Sequence, residues 1–164
     1  MLSDGEFDAL YRERWADLVR LGVLLVGGTA LAEDVVQDAF VNTYRRWSRM
    51  RDLPGAAAYV RTAVVNGCRS AHRRRTVAVA AQPALHAPTT TDPTARVVDE
   101  LGPLRAALAA LPRRQREVIV LRYWAELSEA EIAEALGVSR GTVKASASRG
   151  RASLAAAMEV RHAG

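Results

Sequence analysis

The chain has 164 residues, 49% of them hydrophobic and 25% charged, with a net charge of +5. That is enough apolar material for one medium or two small cores, which excludes a disordered chain, and the positive excess favours a polyanionic partner such as nucleic acid. Cys68 is alone, so no intrachain disulfide forms, and His72, His86 and His162 lack cysteine partners at zinc spacing.

The start, Met1–Asp8, is acidic and polar, unlike a signal peptide, and the longest apolar run, Leu21–Val26, is too short to span a bilayer. A cytoplasmic protein without a membrane segment is expected. A first helix is predicted from about Asp4 to Val26, with Phe7, Tyr11, Trp15, Leu18, Gly22 and Leu25 as its apolar stripe. Gly27 and Gly28 end it, and Thr29 is placed to cap a second helix. That helix has Val36, Phe40, Tyr44 and Trp47 as its buried stripe. After Pro54 and Gly55, a third helix is predicted over about 56–75, with Val60, Val64, Cys68 and Ala71 inward.

Residues 76–100, with Pro83, Pro88, Pro93 and a Thr run, read as a flexible linker. Strand-type alternation is confined to Thr76–Ala80, so the class is all-α. The predicted organisation is two small helical domains, 1–75 and 101–164, joined by the linker 76–100.

The second block reads as four short helices. Pro103 starts the first, with Leu104, Leu108 and Leu111 inward. Pro112 starts the second at its first helical position, with Val118, Leu121 and Trp124 inward. Ser128 and Glu131 make a capping box for the third, which ends at Gly137, and Ser139 caps the fourth. The last two form a helix-turn-helix pattern, held by Ile132, Leu136, Val138 and Val143, with Ala133 small at the crossing. An ordinary αα-hairpin is the alternative. The fourth helix presents Arg140, Thr142, Lys144, Ser146, Arg149 and Arg151, with Lys144 and Arg149 the longest reaches toward bases or phosphates. Small residues elsewhere on it leave little direct readout, so DNA shape is expected to contribute. Arg113, Arg114 and Arg116 crowd a helix N-terminus that is already electropositive, a conflict that suggests an anionic partner.

In the first block, Glu33, Asp34, Gln37 and Asp38 lie opposite Val36, Phe40 and Tyr44. That face suits a basic protein surface, or it is merely solvated. The following segment is dense in arginine (Arg46, Arg49, Arg51, Arg61, Arg69, Arg73) with Trp47 and Tyr59 interleaved. Such a pattern suits single-stranded nucleic acid, with bases on rings and arginine on the backbone. A core Trp and Tyr with a basic rim is the other reading. No histidine–carboxylate–nucleophile set, glycine-rich phosphate loop or metal cluster is present, so no catalytic residue and no cofactor are expected. Cys68, at core spacing, reads as packing.

Three stretches in order, AEDVVQDAFVNTYRRW, YVRTAVVNGCRSAHRRR and LPRRQREVIVLRYWAELSEAEIAEALGVSRGTVKASASRGRASL, resemble bacterial RNA polymerase sigma factors of the extracytoplasmic-function (ECF) type in the sigma-70 superfamily, and in particular the actinobacterial SigE-like group. The resemblance implies that the first block is region 2. There Asp34, Gln37 and Asp38 would dock on the β′ clamp helices of core RNA polymerase. Arg46, Trp47, Arg49, Arg51, Tyr59, Arg61, Asn66, Arg69 and Arg73 would melt and hold the −10 element. Asn66 matches the family's pocket asparagine, where a flipped base meets both a donor and an acceptor; the loop over 48–55 forms the rest of that pocket.

The second block would be region 4, reading −35 duplex through Arg113, Arg140, Thr142, Lys144, Ser146, Arg149 and Arg151, with its outer face on the β flap. The linker would thread toward the RNA exit channel, and regions one and three would be missing. Family members are commonly held inactive by an anti-sigma factor, which joins promoter DNA and core polymerase as a candidate partner. Two departures stand out. Ala145-Ser146 replaces the Ser-Arg found in many members, and the linker is not strongly acidic. The competing reading is a stand-alone helix-turn-helix regulator with an N-terminal dimerisation domain.

Overall fold

The computed structural model describes residues 1–78 and 93–162; among these the chain is helical, with one 3-10 turn and no strand. It divides into two compact units, Met1–Glu100 and Leu101–Gly164.

The first unit is built on α1 (Asp4–Val26), α2 (Thr29–Arg45) and α3 (Leu53–Ala78), with a 3-10 turn at Trp47–Arg49. Each of the three helices packs on the other two. Ser3 caps α1 in a capping box with Glu6, and hydrogen bonds from the Ser3 backbone and hydroxyl hold the Glu6 carboxyl below its usual range. Gly27 ends α1 at φ 84°, a left-handed conformation that glycine takes without steric cost. The cap of α2 falls on Gly28 instead of Thr29, which is already helical and makes no capping bond. The core joins Leu18, Val19 and the run Leu21–Val26 of α1 to Ala32, Val36, Ala39 and Phe40 of α2 and to Ala56, Val60, Val64, Cys68 and Ala71 of α3. Two glycines set the spacing. A Cβ on Gly22 would sit 3.0 Å from that of Ala32, and one on Gly67 only 2.7 Å from Val35 Cγ1.

The expected stripes are right in direction and wrong at their edges. Tyr11 and Tyr44 are exposed, because Phe7, Trp15 and Phe40 fill the α1–α2 seam and the tyrosine rings overhang it. α3 begins at Leu53, capped by Asp52, whose Oδ1 accepts from the Gly55 N–H at 2.7 Å. It runs to Ala78, so the alternating Thr76–Ala78 is helical; residues 79–92 of the expected linker lie outside the described residues. Residues from Pro93 onward are helical again, in α4 (Pro93–Ala109), and Glu100 accepts a hydrogen bond from Arg20 at 3.0 Å.

The second unit takes the later part of α4, then α5 (Arg113–Tyr123), α6 (Glu129–Leu136) and α7 (Arg140–His162). Gly102 leaves helical geometry (φ 11°, ψ −104°) just before Pro103, which disfavours a helical residue ahead of it and lacks an N–H to donate. Pro112 stands at the N-cap of α5, one position before the place expected for it. The core is Leu101, Leu108, Leu111, Val118, Ile119, Leu121, Ile132, Leu136 and Val143. Trp124, expected inward, is exposed: it is the C-cap of α5, one residue beyond the last full turn of that helix. α7 is not short but 23 residues long, and Gly150 lets it lie against α5, where a Cβ would meet Ile119 Cγ1 at 2.8 Å.

Candidate nucleic-acid and protein interfaces

The outer face of α2 carries Asp34, Gln37 and Asp38, all exposed. The sequence reading missed Val41, seven residues after Asp34 and so two turns along the same face. It is 44% exposed at the C-terminal end of the acidic surface. Tyr44, 52% exposed, extends the apolar patch, its ring braced on Phe7 at 4.9 Å between centroids. The signal was present in the sequence as an apolar residue out of phase with the buried stripe.

The arginine-aromatic segment divides three ways. Tyr59, Asn66, Arg69 and Arg73 recur at three, four and seven residues and share the outer face of α3. Asn66 and Arg73 are exposed there, and Tyr59 is half-buried beneath the Arg46 guanidinium, 5.7 Å from its ring centre. Arg49 and Arg51 stand exposed on the loop between α2 and α3. Arg61 is not brought to this group. It lies about 150° around the helix from Tyr59 and Asn66, half-buried, with a buried Nε that has no hydrogen-bond partner. Trp47 is buried, as the apolar stripe predicts, and loses the −10 contact that the resemblance implies. Only 4% exposed, it donates from Nε1 to the Ser3 carbonyl at 3.0 Å and meets Phe7 edge-on. Its ring is a core element and offers no face for a base to stack on.

In the second unit the capping box of α6 is present, with Glu131 N–H donating to Ser128 Oγ at 3.1 Å. Gly137 turns the chain at φ 66°, and Ser139 Oγ accepts from the Thr142 N–H at 3.1 Å to start α7. Ile132, Leu136 and Val143 are buried in this helix-turn-helix and Val138 half-buried. The buried register of α7 is Val143, Ser146 and Gly150. Ser146, expected on the DNA side, is 8% exposed and faces inward. Diametrically outward lies a strip of small exposed residues, Gly141, Ala145, Ser148 and Ala152. Arg140 and Lys144 flank it on one side, Thr142 and Arg149 on the other, with Lys144 and Arg149 about 140° apart. A thin ridge with cations on both shoulders can approach the floor of a groove while its flanks reach the phosphate walls.

Arg151, two turns beyond Lys144 on the same flank of α7, and Arg113 are each engaged by another side chain. Arg151 donates to Tyr123 Oη at 3.3 Å on the rim of an apolar groove of about 440 Å³, lined by Ile119, Tyr123, Trp124, Leu154, Ala155 and Met158. Arg113 Nε donates to Glu117 Oε1 at 2.8 Å, and the Glu117 side chain is nearly buried. This pair relieves part of the positive crowding at the start of α5. Arg116 pays the remainder: burial pushes its guanidinium below the usual range, with Arg113 adding to the shift and Glu117 opposing it. Among the described residues no group of three or more His, Cys, Asp or Glu is placed to hold a metal, and no helix is long and apolar enough to cross a membrane.

Two family models match, Sigma-70 region 2 over residues 10–77 and Sigma-70 region 4 over residues 101–154. An RNA polymerase sigma-E factor of Streptomyces antibioticus is 36% identical over 162 residues, covering 95% of this chain and 86% of its own. The ECF RNA polymerase sigma factor SigM of Mycobacterium tuberculosis is 33% identical over 149 residues, covering 91% of this chain and 75% of its own. Among solved structures, CnrH, in complex with the cytosolic domain of CnrY, superposes with a TM-score of 0.61 at 25% identity, covering 94% of this chain and 88% of CnrH. The sigma factor RpoE of Bartonella quintana, in complex with the anti-sigma factor NepR, shares the fold at a TM-score of 0.64 and 24% identity, covering 91% and 96% of the two chains. The chain belongs to the sigma-70 family, in its ECF branch, and is a sigma factor acting in transcription initiation.

Proposed function

We propose that this sigma factor docks on core RNA polymerase through the outer face of α2 and directs it to promoters read at two places. Asp34, Gln37 and Asp38, continued along the helix by apolar Val41 and Tyr44, meet the β′ clamp helices. Arg46, Arg49, Arg51, Tyr59, Asn66, Arg69 and Arg73 hold the melted −10 strand. Arg140, Thr142, Lys144 and Arg149 place α7 in the −35 major groove. The apolar groove between α5 and α7 receives the β flap. The protein works in the cytoplasm as a binding subunit with no active site of its own. An anti-sigma factor is a natural partner, since the sigma factor RpoE of Bartonella quintana was solved with the anti-sigma factor NepR bound.

The observation that carries this reading is the segregation of surfaces in a basic protein. An acidic face with an apolar end is poorly suited to DNA and well suited to a basic protein helix. Nothing in the structure favours a stand-alone regulator. The test is run-off transcription with core polymerase across a genomic library, followed by core-binding measurements on Asp38→Arg. Defined start sites downstream of separated −35 and −10 elements are expected, and Asp38→Arg should weaken core binding while leaving the thermal transition in place. Palindrome binding without polymerase, and no transcript from any fragment, would sink the reading.

A further inference from the structure

The loop over residues 48–52 is fastened at both ends. At its start, Trp47 is locked into the core, and its Nε1–H reaches across 44 residues to the Ser3 carbonyl. Ser3 is itself fixed, as the N-cap of α1 in a box with Glu6. The Met50 N–H bonds back to the Trp47 carbonyl at 3.0 Å and closes the 3-10 turn. At the far end Asp52 caps α3, accepting from Gly55 through its side chain and from Ala56 through its carbonyl at 3.1 Å. Arg46, just before Trp47, rests on Tyr59. Between the two anchors, Arg49 and Arg51 are exposed.

A phenylalanine would fill most of the same apolar space as Trp47. The indole N–H is what distinguishes tryptophan here, and a buried N–H requires an acceptor. The acceptor is the backbone of a distant, already capped helix end, so the bond transmits the rigidity of α1 to the loop. Ordering a loop on binding subtracts from affinity, and a loop ordered in advance avoids that loss.

We propose that Trp47 is a positioning residue for single-strand recognition. It fastens the loop to the N-terminal cap of α1 and so holds Arg46, Arg49 and Arg51 in their strand-binding arrangement before DNA arrives. Asp52 secures the same loop from its other end. This inference rests on the −10 role proposed above. The sequence offers Trp47 both as a buried residue of the apolar stripe and as a stacking ring; the structure assigns it to holding its neighbours.

The test uses the full chain assembled with core polymerase. The probe is a fluorescein-labelled oligonucleotide carrying the non-template −10 strand of a promoter mapped by run-off transcription. Trp47→Phe is expected to bind it about fivefold more weakly, the loss of one hydrogen bond, with core affinity and −35 duplex binding unchanged. Asp52→Ala should show a loss of similar size. Asp52→Asn, which keeps a capping oxygen, should bind like wild type. Unchanged strand affinity in both Trp47→Phe and Asp52→Ala overturns the inference. So does a loss that tracks core affinity and melting temperature. Should Trp47→Phe fail to fold, the Asp52 pair decides alone. Wild-type holoenzyme that does not prefer this strand over its complement overturns the reading of the site itself, and the role of Trp47 with it.

Discussion

Ser146 and Ser148 are two residues apart on α7 and have opposite fates. Ser146 shares the buried register of Val143 and Gly150, while Ser148 belongs to the outward strip. Ser146→Ala should therefore leave −35 affinity unchanged. Lys144→Ala and Arg149→Ala should each weaken it, by about 1–3 kcal/mol with relaxed specificity if the residue touches a base, and uniformly over sequences if it touches phosphate. Electrophoretic shifts on matched and mutated −35 duplexes measure both, and a defect in Ser146→Ala would contradict the inward placement. The sequence held the information needed: Ser146 is three residues from Val143, on the side of the apolar register. Trp47 is legible only in part, since the apolar stripe points it inward and the arginine-aromatic pattern outward. Whether an indole packs or stacks depends on what lies across from it, and the Ser3 carbonyl is not visible in local spacing. Cys68, expected as packing, is buried, and burial pushes its thiol up to about 12 from 9.0. Below pH 9 both folded and unfolded forms keep the proton and this contribution is intact. Between about 9 and 12 only the unfolded thiol ionises, so stability falls as pH rises through that window. Denaturant unfolding of wild type and Cys68→Ala at pH 8 and pH 10 should show a steeper loss in wild type. Parallel losses would mean the thiol is less buried than it stands.

At the scale of the elements, the punctuation of the helices was easiest to read. Capping chemistry is local, so Ser128 with Glu131, Gly137 and Ser139 could be placed from spacing alone. The close approaches of helices were not readable. A glycine inside a helix costs about 1 kcal/mol against alanine, but the sequence does not say what the missing side chain makes room for. At Gly67 it is Val35, and at Gly150 it is Ile119 with the Gln115 carbonyl at 3.3 Å. Gly150→Ala gains about 1 kcal/mol of helix propensity and loses about 1–3 kcal/mol to overpacking. Since the backbone oxygen of α5 cannot step aside as a side-chain end can, the loss should prevail. A lowered midpoint in denaturant is expected, with −35 binding reduced in proportion. A raised midpoint would show that α5 and α7 have slack where they cross.

Over the whole molecule, a net charge of +5 hides a division of labour. On the proposed reading, the cations of α3, the preceding loop and α7 meet one kind of partner and the carboxylates of α2 another. Salt separates the two kinds of contact. Binding of −35 duplex through Arg140, Lys144 and Arg149 should fall with log salt at a slope of about −0.9 per phosphate neutralised. Core docking should respond differently, because one end of its surface is apolar. Val41→Ala removes two carbons at about 0.8 kcal/mol each when fully buried; with Val41 44% exposed before docking, the loss is on the order of 0.7 kcal/mol, and it should persist from low to high salt. Asp38→Arg replaces attraction by repulsion on the acidic face, an effect that should shrink as ionic strength screens it. Titrating labelled sigma factor with core polymerase at two salt concentrations distinguishes the two variants. If Val41→Ala binds core like wild type at both, the apolar end does not touch the polymerase. If its defect fades with salt as that of Asp38→Arg does, the face acts through charge alone, and the exposure of Val41 and Tyr44 needs another occupant.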